Sequence, residues 1–141
     1  MIFKSHSPKE TQKIAADLAQ KIIKSRKGAV IAMEGELGAG KTTFIQGFMA
    51  SLGIEEKVKS PTFVLMKKYQ TSDGTSLYHM DCYRIADHKD MRIPEIEEIF
   101  NEQGSIIFIE WAERIREIIP KNNITVHIDH INENERKITI T

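Results

Sequence analysis

Residues 35–42 read GELGAGKT, and those residue types at that spacing suit one task, the holding of phosphate. Gly35, Gly40, Lys41 and Thr42 fill every fixed position of the pattern G-x-x-x-x-G-K-[ST]. Gly38 and Gly40 let the backbone curl so that successive N–H groups face one point, which side chains would obstruct. The positive end of a following helix adds to that attraction. Lys41 supplies a cation for β and γ phosphates, and the Thr42 hydroxyl is a hard oxygen suited to Mg²⁺. With glycine near 7% of residues, a chance match in a chain this size is on the order of 1% or less, so the loop is read as a nucleoside triphosphate site.

Hydrolysis at such a site also needs a carboxylate that serves the metal and places water. Glu110 ends the apolar run IIFIE and Asp81 ends LYHMD, so each closes a predicted strand where such an acid belongs. Ser60-Pro61-Thr62 follows a lysine-containing stretch, EEKVKS, and reads either as a switch sensing the γ-phosphate or as a plain turn before a strand. Trp111 reads as a packing residue and His79, alone on a strand, as structural. Cys82 reads as a small buried residue, and residues 24–27 as a solvated helix end. No Asn-Lys-x-Asp element, the guanine reader of GTPases, occurs anywhere, which favours ATP.

The elements that must position these residues follow from the hydrophobic pattern. Residues 2–4 form a short strand. Ser7, Pro8 and Glu10 compose a helix start with a capping box, and Ile14, Leu18 and Ile22 carry its apolar stripe to an end near residues 26–28. AVIAM at 29–33 is a buried strand leading into the loop, and 41–52 is a helix stopped by Gly53. Strands at 62–70 and 75–83 flank the turn Ser72-Asp73-Gly74. A helix near 93–102, the strand SIIFI at 105–109, a helix at 112–119 closed by Pro120, and a hairpin of 124–130 with 136–141 complete the chain. The expected fold is α/β: a three-layer P-loop NTPase-like sandwich with a mostly parallel central sheet and antiparallel additions, in a single domain over 1–141.

Composition sets the outer bounds. Lys plus Arg and Asp plus Glu both number 20, so net charge is zero, which argues against a domain that coats nucleic acid. The single cysteine rules out a disulfide within the chain. No apolar run is long enough to span a bilayer, and the first residues lack a signal-peptide core, so the expected location is cytoplasmic with no membrane contact.

SPKET at 7–11, GELGAGKTTF at 35–44, VKSPTF at 58–63, YHMDCYRI at 78–85 and IEWAERI at 109–115 together resemble, almost end to end, the bacterial TsaE family of tRNA threonylcarbamoyladenosine biosynthesis. The resemblance implies a weak ATPase that binds ATP or ADP with Mg²⁺ and works with TsaB and TsaD, the latter being the transferase acting on tRNA. ATP hydrolysis would reset that complex between turnovers. Whether tRNA touches this subunit stays open. By motif position, Asp81, Glu110 and Lys41 would serve catalysis, with Thr42 and Glu110 at the metal. Gly38, Ala39, Gly40, Lys41, Thr42 and Thr43 would hold the nucleotide together with Thr11, Trp111 and Arg136. The family usually carries a glycine-containing acidic segment after Tyr-Arg, whereas residues 86–100 here read ADHKDMRIPEIEEIF. A small-molecule kinase and a nucleotide-dependent binding module are the competing readings; the chain has no long lid insertion of the kind such kinases add.

Overall fold

The computed structural model describes residues 1–36, 40–54, 66–85 and 93–141. Strand β1 (Ile2–Ser5) leads into helix α1 (Pro8–Ser25). Ser7 caps α1 as its type predicts: it is extended, and its hydroxyl accepts the Glu10 N–H at 3.1 Å. The second half of the capping box is displaced. The Glu10 carboxylate accepts from the His6 N–H at 2.6 Å, one residue earlier than the box requires.

Strand β2 (Ala29–Gly35), helix α2 (Lys41–Ser51), strands β3 (Met66–Gln70) and β4 (Ser76–Asp81), helix α3 (Ile93–Asn101) and strand β5 (Ile106–Glu110) follow in order. A 3₁₀ segment (Ala112–Ile118) and strands β6 (Ile124–His130) and β7 (Arg136–Ile140) close the chain. The segment at 112–118 reads as a helix from its apolar spacing but is wound as 3₁₀, with Ile115 off helical geometry at φ −130°. Trp111 precedes it at φ +57°, a left-handed conformation uncommon for a non-glycine residue. The strands expected at 75–83 and 136–141 are shorter than the pattern suggested, and residues 62–65 of the preceding strand lie outside the described residues.

One seven-stranded sheet runs β1-β7-β6-β2-β5-β4-β3. β6, β2, β5 and β4 are parallel, and antiparallel pairs extend both edges: β3 on β4, and β7 with β1 beyond β6. Alternation then sorts the side chains. Ile31, Met33, Leu77, Phe108, Val126 and Ile128 face α1 and α2 in one cluster. Ala32, Tyr78, Met80, Ile107 and Ile109 meet Ile96 of α3 and Ile115 of the 3₁₀ segment in another. The result is the expected three-layer α/β sandwich with a parallel centre. Under α2, Phe48 meets the fully buried Phe108 edge-on at 5.2 Å. That contact pins α2, and with it Lys41, to the middle of the sheet. Among the described residues no helix is long and apolar enough to cross a membrane.

α1 and α2 cross at Gly47. A Cβ there would lie 2.5 Å from Gln12 Cα and 2.7 Å from the Gln12 carbonyl oxygen. Alanine would improve helix propensity by about 1 kcal/mol, but overpacking against backbone costs about 1–3 kcal/mol. Gly47→Ala is therefore expected to lower stability in urea unfolding by about 1 kcal/mol, and a more stable variant would contradict the close crossing.

Candidate functional site

The strand register brings the two acids together. Asp81 pairs with Glu110 across β4 and β5, and Glu110 pairs with Met33 across β5 and β2. Both acids therefore stand at the carboxyl ends of parallel strands, beside the point where β2 leaves the sheet; in α/β folds this edge is where ligands bind. Gly35 ends β2 at φ +141°, and a Cβ on it would lie 2.6 Å from the Ile128 carbonyl oxygen, so only glycine fits. Gly40 starts α2 at φ +101° with no side-chain cap, so no capping side chain occupies the N–H groups of the first turn. Gly38 and Ala39 lie outside the described residues, as does Ser60-Pro61-Thr62.

Lys41 is only 6% exposed. Its ammonium donates to the Gly35 carbonyl at 2.8 Å and sits 3.7 Å above the Trp111 ring centre. Burial lowers its pKa, and the carboxylates of Glu110, Glu113 and Asp81 oppose that shift. Trp111, read as a packing residue from composition alone, thus covers the lysine; its own ring is met by Tyr83 at 5.1 Å.

Glu110 is 4% exposed, and its Oε2 lies 2.7 Å from Nε2 of His79, which is 1% exposed. Asp81 is half-buried and accepts the Tyr83 N–H at 3.0 Å. Burial raises the Asp81 pKa and the nearby Glu110 raises it further, while the Tyr83 N–H, His79 and Lys41 pull it down. On the opposite face of the sheet, Glu34 forms an ion pair with Arg116 of the 3₁₀ segment and lies 3.4 Å from His127, which ties the end of β2 to its neighbours.

A second cleft, of about 390 Å³, opens beside Gly40 and is lined by Thr11, Thr43 and Arg136 together with Ser5, His6, Ser7, Pro8, Glu133 and Asn134. Thr11 is hydrogen-bonded to the Ser5 hydroxyl at 2.6 Å, and Arg136 Nη1 donates to the Asn132 carbonyl at 2.7 Å. The sequence-predicted residues Thr11, Gly40, Thr43 and Arg136, drawn from three distant stretches, thus share one wall, and Thr42 is exposed at the start of α2. His79, which the sequence reads as structural more than catalytic, is instead in contact with Glu110. The available signal was its spacing, two residues before Asp81 on one strand, which puts both on the face that carries Glu110.

These features define a three-layer α/β protein with a lysine at the head of the helix that follows a central strand, and with two carboxylates facing that lysine. The family model described as "Threonylcarbamoyl adenosine biosynthesis protein TsaE" matches residues 5–138. The TsaE protein of Bacillus subtilis is 41% identical over 136 residues, covering 96% of this chain and 81% of that one. The TsaE protein of Aquifex aeolicus is 36% identical over 137 residues, covering 95% and 90%. The crystal structure of Bacillus subtilis YdiB superposes with a TM-score of 0.77 at 34% identity, covering 99% of this chain and 83% of that one. The chain belongs to the TsaE family of tRNA threonylcarbamoyladenosine biosynthesis proteins.

Cys82 follows Asp81 and is fully buried. Burial, with the charges of Asp81, Glu113 and Glu110, pushes its thiol pKa up to about 12. The native protein is expected to resist iodoacetamide at mildly alkaline pH, with modification appearing only in urea. Rapid labelling of the native chain, followed by mass spectrometry, would contradict this environment.

Proposed function

We propose that this chain binds ATP with Mg²⁺ and hydrolyses it slowly, as the ATPase that drives turnover of a TsaB–TsaD complex acting on tRNA in the cytoplasm. One observation carries the reading: the Lys41 ammonium stands at the head of α2, where Asp81 and Glu110 converge. The donor set fits the proposed ligands. A hydroxyl at Thr42 and carboxylates at Asp81 and Glu110 are hard oxygens of the kind Mg²⁺ takes. Gly40, in a left-handed conformation at the head of α2, leaves the helix N-terminus uncapped and open to a phosphate.

Lys41 would leave the Gly35 carbonyl for the β and γ phosphates, with Gly38, Ala39, Gly40 and Thr43 contributing contacts around them. Thr42 and Glu110 would hold Mg²⁺, directly or through water. The metal, when bound, neutralises charge on the transferring phosphoryl group. Asp81 would orient the attacking water; its half-buried carboxylate stands beside Glu110 with one oxygen fixed by the Tyr83 N–H. The cleft beside Gly40, with Thr11 and Arg136 on its walls, has the size of a small-ligand site and would take the nucleoside end. Trp111 would close the site over Lys41 and keep water from the ammonium. The transferase chemistry belongs to a partner.

Formation of threonylcarbamoyladenosine on tRNA in a reconstituted system should require this chain together with TsaB, TsaD and ATP. Phosphate release without a phosphorylated acceptor supports the ATPase, and transfer to a small hydroxyl compound would sink it. Lys41→Ala should weaken ADP binding by about 10- to 100-fold, the worth of a charge-assisted phosphate contact; unchanged affinity in calorimetry would refute the site. Glu110→Ala or Asp81→Ala should lower turnover by about 100-fold or more while ADP affinity at saturating Mg²⁺ changes little. An equal fall in both would overturn the division of roles.

A further inference from the structure

We propose that His79 is a positioning residue for the Glu110 carboxylate, fixing the orientation in which that acid is offered to magnesium. The inference rests on the nucleotide-site reading above. His79 pairs in register with Phe108, so Glu110 lies one pleat further along β5 on the same face of the sheet. The two side chains meet diagonally across the strands, with Nε2 and Oε2 2.7 Å apart. Both are almost wholly buried, His79 at 1% and Glu110 at 4% exposure. A carboxylate in such surroundings needs donors, and an ionised carboxylate only accepts, so the hydrogen in this contact belongs to Nε2.

That arrangement does something Lys41 does not. The lysine ammonium is a compact charge on a flexible stem, and it attracts the carboxylate without fixing its plane. The imidazole is a rigid donor on β4, a strand paired on both sides, and is seated beside the buried Phe108. A bond to Oε2 sets the rotation of the carboxylate and hence the direction in which its other oxygen is presented. Mg²⁺ demands near-octahedral geometry, so the placement of a carboxylate oxygen governs how well the metal is bound. Residues that orient metal ligands in this way change metal affinity by about 10- to 100-fold when lost. His79 Nδ1 is buried and has no hydrogen-bond partner among the described residues, so the contact with Glu110 is the polar contact that accounts for a histidine here.

The test is ADP binding by calorimetry across a range of Mg²⁺ concentrations and in EDTA, for the wild type, His79→Leu and His79→Gln. His79→Leu should need about 10- to 100-fold more Mg²⁺ to reach half of the metal-dependent gain in affinity, with EDTA affinity unchanged. His79→Gln places an amide donor within reach of Oε2 and should stay close to the wild type. If His79→Leu does not fold, His79→Asn replaces it, because its amide is too short to reach Glu110. Wild-type metal dependence in the leucine or asparagine variant, with only a lower Tm, would make His79 structural and overturn the proposal. Equal impairment of the glutamine variant would overturn the donor argument. A wild type that binds ADP without regard to Mg²⁺ would overturn the role at the metal while leaving the nucleotide site standing; a wild type that binds no ADP would remove both.

Discussion

A lysine ammonium held almost out of water is the constraint around which this molecule is arranged. Its dehydration is costly, and the surroundings offset that cost with a carbonyl at Gly35, the π face of Trp111 and the fields of three carboxylates. None of these partners is near Lys41 in sequence except Gly35. They converge because β4 and β5 end at one level in a parallel sheet, beside the last residues of β2, and because α2 is locked over Phe108. The rest of the fold serves this geometry: β1, β7 and β3 extend the edges, while α1, crossing at Gly47, holds α2 against the sheet.

The same arrangement stores electrostatic tension. Asp81 and Glu110 sit side by side; burial makes ionisation of Asp81 harder, and the neighbouring Glu110 adds to this. The Tyr83 N–H, His79 and Lys41 pull the other way at Asp81. A site with two crowded acids and one dehydrated cation has a use for a ligand that brings both negative phosphate and a divalent cation. That complementarity, more than the presence of the loop by itself, favours Mg-nucleotide over a simple anion.

Much of this could be read from the chain because the chemistry lay in short, contiguous stretches. GELGAGKT stands between an apolar strand and a helix, and Asp81 and Glu110 close apolar runs, so their level in the sheet follows from local pattern. The cap at Ser7 was equally local, although Glu10 found the His6 N–H in place of its expected partner. What resisted reading was whatever depends on two strands meeting. His79 looked like a lone strand histidine, and only the register of β4 against β5 sets it on Glu110. Trp111 looked like packing, since its place above Lys41 comes from a left-handed turn after β5 that no composition rule anticipates. The 3₁₀ winding of 112–118 was hidden for a similar reason: 3₁₀ and α turns share nearly the same apolar spacing over so short a stretch.

Lys41, resting on the Gly35 carbonyl and the Trp111 ring, is the proposed phosphate ligand. A crystal structure with Mg²⁺ and a non-hydrolysable ATP analogue tests that role most directly. Lys41 Nζ should leave the Gly35 carbonyl for the β and γ phosphate oxygens, with the metal beside Thr42 and Glu110 and the nucleoside in the cleft of Thr11 and Arg136. An analogue bound elsewhere, with Lys41 still on the Gly35 carbonyl, would contradict it.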